Sequence, residues 1–222
     1  MRPCQRVECV GFPCADVRHD RFSPPAHRAD PGSVSIILIS EAAPPSPDDD
    51  YAAGQTSLFA RTTVLAFQDA GAAVQSIDDI ESLGIYLTSG VKCAKAGYGL
   101  KPATIEACSR LLEQELAPFT RAKAILLMGD VAIRALNAIA RRAGEPRVIP
   151  AVSTYKLRGQ AFHFRGMRVF PSYLQAGPSF FIEKSKRRMI AEDIAAALRL
   201  AGRLEAGAPG AGIHGSANRV AA

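Results

Sequence analysis

Residues 124–142 read AILLMGDVAIRALNAIARR, and the order of elements within them decides the fold. The five apolar residues at 124–128 suit a short strand covered on both faces. Gly129 and Asp130 break the run, and the chain passes directly into a helical pattern from Val131 to Arg142. Strand, glycine and helix in immediate succession form a unit of a parallel α/β sheet.

Working outward, the same alternation recurs. Residues 34–39 (VSIILI) form a β-branched run that ends in a proline-rich loop, and residues 58–73 are compatible with a helix. Residues 85–88 (IYLT) give a second strand. Pro102 opens a helix over ATIEACSRLLEQELAPF, with Ile105, Cys108, Leu111, Leu112 and Leu116 on one face. Gln160–His163 and Met167–Phe170 around Arg165-Gly166 read as a hairpin feeding a fourth strand, and 183–201 as a last helix. The expected architecture is a three-layer αβα sandwich around a mainly parallel four-stranded sheet. Residues 1–205 form the domain, and 206–222, rich in Gly and Ala, a disordered tail.

A chain of 222 residues buries a core without disulfides. The first 30 residues carry Arg, Asp, His, Pro and Cys with no apolar run, so neither a signal peptide nor a membrane span is expected. That points to a reducing cytoplasmic location in which thiols are available as ligands. The net charge of +6 is compatible with a polyanionic partner. Of the five cysteines, Cys4, Cys9 and Cys14 crowd the N-terminus, and Cys93 and Cys108 lie mid-chain. The distribution reads as a metal or iron–sulfur site pinning the N-terminus to the domain, or as unrelated thiols in the core. His19, His27 and His163 lack ligand spacing and receive no role.

In an open parallel sheet, ligands bind beyond the carboxyl ends of the strands. Three loops leave such ends: Ser40-Glu41-Ala42-Ala43-Pro44-Pro45 with Asp48-Asp49-Asp50-Tyr51 after it, Thr88-Ser89-Gly90-Val91-Lys92-Cys93, and Phe170-Pro171-Ser172-Tyr173-Leu174. Past the last loop, Lys184, Arg187 and Arg188 share a helix face able to track phosphates.

The succession SEAAPP, LTSGVKC with a further cysteine downstream, LLMGDVAIRAL, and FPSYL before a basic helix resembles the uracil-DNA glycosylase superfamily. It is most similar to the family-four type, whose pattern is a Gly-Glu-Ala-Pro-Gly loop, a Thr-Asn-x-x-Lys-Cys segment, a His-Pro-Ser loop and a [4Fe–4S] cluster on four cysteines. The resemblance extends over residues 1–200. It implies a monofunctional hydrolase of base-excision repair, acting as a monomer on a flipped-out damaged base in DNA. The implied cluster ligands are Cys9, Cys14, Cys93 and Cys108, with Cys4 as the substitute for Cys9.

Glu41 matches the Glu of the first motif, and Asp48 and Asp49 lie near the family's second acidic position. Cleaving an N-glycosidic bond builds positive charge on the sugar and negative charge on the base, so a carboxylate that positions water is wanted, and Glu41 is assigned that role with Asp48 in support. An aromatic must stack on the extruded base: Phe59 is the first choice and Tyr51 the second. Leu174 is placed to fill the hole left in the duplex, with Ser172 beside it. Two positions depart from the pattern. Ser89 stands where the family Asn reads the uracil edge, and Phe170 where the family His stabilises the departing base. The second reading is therefore a cluster-bearing nucleic-acid-binding protein that has lost hydrolysis, and a third is a hydrolase of small nucleosides.

Overall fold

The structure, a computed structural model, describes residues 7–25 and 29–205. Cys4, His27 and the segment 206–222 lie outside the described residues. The sheet has six strands where four were expected: β1 (Val17–Arg18), β2 (Ile36–Ala43), β3 (Ile85–Lys95), β4 (Ala124–Met128), β5 (Phe162–Phe164) and β6 (Met167–Ser172), in the order β1-β3-β2-β4-β6-β5. The four central strands run parallel, and the two edge strands pair antiparallel. Of the additional strands, β5 is the first arm of the expected hairpin, lying at Phe162–Phe164, and β1, two residues long, is too short to leave an alternation in the sequence.

Helices cover both faces: α1 (Leu58–Asp69), α2 (Ile77–Ser82) and α7 (Lys184–Ala201) on one, α3 (Pro102–Leu116) and α4 (Asp130–Arg142) on the other. The period-two rule sorts the core between them. Ile37, Ile39, Ile125 and Leu127 pack with α3 and α4, whereas Ile36, Leu38, Leu126 and Met128 pack with α1 and α7. Helices α1 and α3 stop short of the predicted ends. The chain turns at Gly71, φ 90°, and α3 ends two residues before Pro118, which cannot continue a helix. Short helices α5 (Thr154–Leu157) and α6 (Ser179–Ile182) flank the β5–β6 hairpin, whose Arg165 and Gly166 both have positive φ, as a two-residue turn requires.

Two features place the site. Strands β2 and β3 run longer than predicted, so Glu41 and Ser89 through Cys93 lie within strands and not in loops. Where β2 advances from Ala42 to Ala43, β3 advances from Val91 to Ala94, so Lys92 and Cys93 form a bulge. The bulge turns the Lys92 side chain into the interior.

Candidate active site

A pocket opens at the carboxyl ends of β2 and β3. Its walls are Ser40, Ala42, Ala43 and Pro44 of β2 and the loop after it, Thr88 and Ser89 of β3, Asp50, Tyr51 and Phe59, with Ser23, Pro24 and Pro25 closing one side. Phe59 sits in the first turn of α1, half-buried, its ring edge-on to Tyr51 at 5.8 Å between centroids. The helix starts there because the Ser57 hydroxyl accepts from Ala60 N at 3.2 Å. Both predicted stacking residues thus face one cavity. Asp48 does not. It is exposed on a turn outside the pocket, and Asp50 is the carboxylate that lines it, accepting from the Ser23 hydroxyl at 2.8 Å. The run of three aspartates gave no basis for choosing among them.

A polar network lies behind the pocket wall. Gln175, fully buried, donates from Nε2 to Ser40 Oγ at 2.9 Å and to Tyr51 Oη at 3.0 Å. Burial pushes the Tyr51 phenol above its usual pKa despite hydrogen bonds to Ser40 and Thr63, so it stays protonated. Ser89 lines the pocket, but its hydroxyl donates to the Val91 carbonyl at 3.0 Å. Beneath it Lys92, with no solvent exposure, donates to the Ser89 carbonyl and to Thr88 Oγ1, each at 2.6 Å, and pairs with Glu115 at 2.5 Å. Glu115 also accepts from Tyr86 and Thr88, both at 2.7 Å. A buried lysine and glutamate are invisible to hydropathy, which reads both as surface.

Glu41 points the other way along β2, into a neighbouring cleft it shares with Gly129, Tyr173, Leu174, Lys186 and Arg187. Its carboxylate pairs with Lys95 Nζ at 2.6 Å. It also lies over Gly129, where a Cβ would stand 2.6 Å from Glu41 Oε1 and where φ is 101°. Gly129 therefore does more than begin α4, as it makes room for the carboxylate. Leu174 is partly exposed at this cleft. Ser172 is wholly buried, its hydroxyl donating to Asp193 Oδ2 at 2.6 Å, and Arg158 holds the same carboxylate, which burial pushes up in pKa while Arg158 and Ser172 pull it down. Phe170 packs against the core on the α1 and α7 side, with the Arg168 guanidinium 4.9 Å from its ring, outside the base pocket.

The basic face of α7 divides. Arg187 is committed to both oxygens of Asp69 on α1 and stacks over Phe180, whereas Lys184 and Arg188 are exposed. The only ion pair of Arg188 among the described residues is a long one, 3.7 Å to Glu192.

Cys9, Cys14, Cys93 and Cys108 line one cavity of about 420 Å³ under apolar cover from Val10, Phe12, Val17, Phe22 and Leu111. Burial, reinforced by the other three sulfurs, pushes the Cys93 thiol up to about 12. Among the described residues no three His, Cys, Asp or Glu side chains converge tightly enough for a single metal ion. Four thiols on one largely apolar cavity are the donor set that a thiolate-held group would need. The N-terminal segment is fastened here by its own contacts as well: β1 pairs with β3, and Asp16 accepts from Lys101 N at 2.5 Å and from the Thr104 hydroxyl.

A mainly parallel sheet with helices on both faces and a pocket at its carboxyl edge is an open α/β fold, which receives ligands at that edge. The Uracil DNA glycosylase superfamily model matches residues 30–193, well over half of the chain, and the protein belongs to that superfamily. Among solved structures the chain is similar to the wild-type UNG crystal structure from Nitratifractor salsuginis, at 13% identity and a TM-score of 0.37, covering 77% of this chain and 75% of that one. No curated protein matches it. No helix among the described residues is long and apolar enough to cross a membrane.

Proposed function

We propose that the protein is a monofunctional DNA glycosylase that releases uracil, or a related deaminated base, from DNA in base-excision repair. The observation that carries this reading is the pairing of two clefts across β2: a pocket walled by Phe59 and Tyr51 on the Ser40 side, and the Glu41 carboxylate on the other. A base extruded from DNA enters the first, stacked on Phe59 with Tyr51 beside it. The sugar then lies over the end of β2, where Glu41 holds water against the anomeric carbon and offsets its developing positive charge. Lys95, 2.6 Å away, orients that carboxylate. Leu174, at the mouth of the Glu41 cleft, fills the gap left in the duplex, and Lys184 and Arg188 hold phosphates.

The four cysteines around one cavity support a [4Fe–4S] cluster on Cys9, Cys14, Cys93 and Cys108. The cluster would supply cross-linking between the N-terminal segment, β3 and α3, and no chemistry on the base is assigned to it.

The test offers the protein uracil-, hypoxanthine- and xanthine-containing oligonucleotides, single and double stranded, and scores abasic sites by alkaline cleavage. Uracil release is expected. Absence of abasic sites on every substrate, with tight DNA binding retained, would favour the second reading, a binding protein without hydrolysis. That reading draws support from the Ser89 hydroxyl being turned onto Val91 and from Phe170 packing away from the pocket.

A further inference from the structure

Beside the pocket, Gln175, Ser40, Tyr51 and Thr63 form a hydrogen-bonded cluster whose donors and acceptors can be matched one by one. Gln175 is fully buried between β6 and α1, and its Nε2 protons reach Ser40 Oγ and Tyr51 Oη as their two nearest acceptors. The Thr63 hydroxyl donates to the same Tyr51 oxygen at 3.4 Å. Of the two directions open to the 3.3 Å contact between Tyr51 Oη and Ser40 Oγ, the two donors already on the Tyr51 oxygen favour the one in which Tyr51 donates. Ser40 in turn receives from Gln175 and from Tyr51. No acceptor among the described residues is left for the Ser40 proton, and Ser40 lines the pocket.

The reverse orientation of the amide is disfavoured. As it stands, Gln175 leaves one buried oxygen, Oε1, without a partner among the described residues. Turned over, it would leave two buried N–H donors there, the rarer and costlier deficiency.

We infer that Ser40, set by Gln175 through this hydroxyl relay, is the hydrogen-bond donor that selects a base with a carbonyl on its edge over one with an amino group there. Gln175 acts as a positioning residue and does not touch the base. The inference rests on the glycosylase reading for its substrate class. It gives the pocket an edge-reading group where the Ser89 hydroxyl, spent on the Val91 carbonyl, is not available. A buried donor left facing an amino group loses its partner, so discrimination follows from the unmet bond as much as from the one made.

The experiment measures binding of duplexes carrying a fluorinated, non-hydrolysable uracil nucleotide or its cytosine counterpart, beside uracil release from ordinary DNA. Wild type should prefer uracil. Ser40→Ala should lower the uracil-to-cytosine ratio by about 10- to 100-fold, the cost of one unmet buried hydrogen bond. Gln175→Glu, whose ionised carboxylate can only accept, should draw the Ser40 proton back from the pocket and shrink the same ratio while Gln175→Leu tests the packing alone. A structural defect lowers both affinities together, so the ratio separates the two effects. An unchanged ratio in Ser40→Ala and Gln175→Glu overturns the inference, even where uracil is still released. Selective uracil binding that Ser40→Ala abolishes, with no base released by wild type, supports the inference and overturns the hydrolytic reading alone.

Discussion

The Glu41 carboxylate and Lys95 Nζ stand 2.6 Å apart across the parallel pair of β2 and β3, both partly shielded, with Gly129 pressed against the far side of the carboxylate. A glutamate so held has its carboxylate fixed between an ammonium group and a glycine. Glu41→Gln should therefore lower single-turnover base release by roughly 100-fold or more, the scale of a lost general base, with DNA affinity nearly unchanged. Rapid-quench kinetics alongside a binding titration checks both halves. Equal turnover in the variant would move the water-positioning role to Asp50, the carboxylate that lines the pocket.

The cysteine cavity makes a spectroscopic prediction. Protein purified without oxygen should be brown and contain iron, and Cys93→Ala should lose the colour and the iron together. The β1–β3 pairing and the Asp16 contacts should keep the colourless variant folded, though with a lower melting temperature. Iron-free wild-type protein of undiminished stability would count against the cluster.

Lys92 and Glu115 form an ion pair sealed from water, so the two single variants and the double variant should differ sharply. Lys92→Met leaves Glu115 buried without its cation, a cost of about 3–5 kcal/mol. For a chain of this size that is a fall of roughly 2–4 °C in Tm for each kcal/mol. Lys92→Met combined with Glu115→Leu should recover much of the loss. Thermal denaturation of the three variants decides the point, and additive losses would show that the pair is not coupled.

The two arginines at the start of α7 should behave differently, although the sequence placed them on one face. Arg188→Ala should weaken DNA binding and reduce the salt slope by about 1. Arg187→Ala should act chiefly on stability, because it breaks the double contact with Asp69 that ties α7 to α1. Salt titrations and melting curves of both variants separate the effects.

Leu174→Ala should impair uracil release from duplexes more than from single strands, where the few kcal/mol of unstacking are largely absent. Equal losses on both would make Leu174 a packing residue.

Much of this was legible in the sequence, for identifiable reasons. The strand–Gly129–helix unit follows from local pattern, and Glu41, Phe59, Tyr51 and the four cysteines follow from motif order; the structure gathers Phe59 and Tyr51 in one pocket and the cysteines around one cavity. What escaped depends on long-range pairing or on burial of polar groups. β1 exists because two residues meet the end of β3, and nothing in a two-residue segment announces it. Gln175 meets Ser40 from 135 positions away, and Lys92 is interior only because the bulge turns it there. Arg187 and Arg188 look alike in sequence and differ because Asp69 of α1 comes within reach of one alone.

The bulge at Lys92 and Cys93 also sets how faults spread through the molecule. The Lys92 amide nitrogen donates to Cys108 Sγ at 3.1 Å, while the carbonyl of the same residue accepts from Ser23 N at 2.8 Å, beside the wall of the base pocket. One residue thus has its amino side among the thiols and its carboxyl side at the Ser23 wall of the pocket. A displacement of the Cys108 sulfur therefore has a path of two hydrogen bonds to that wall, and the cysteine cavity and the pocket share a single stretch of backbone.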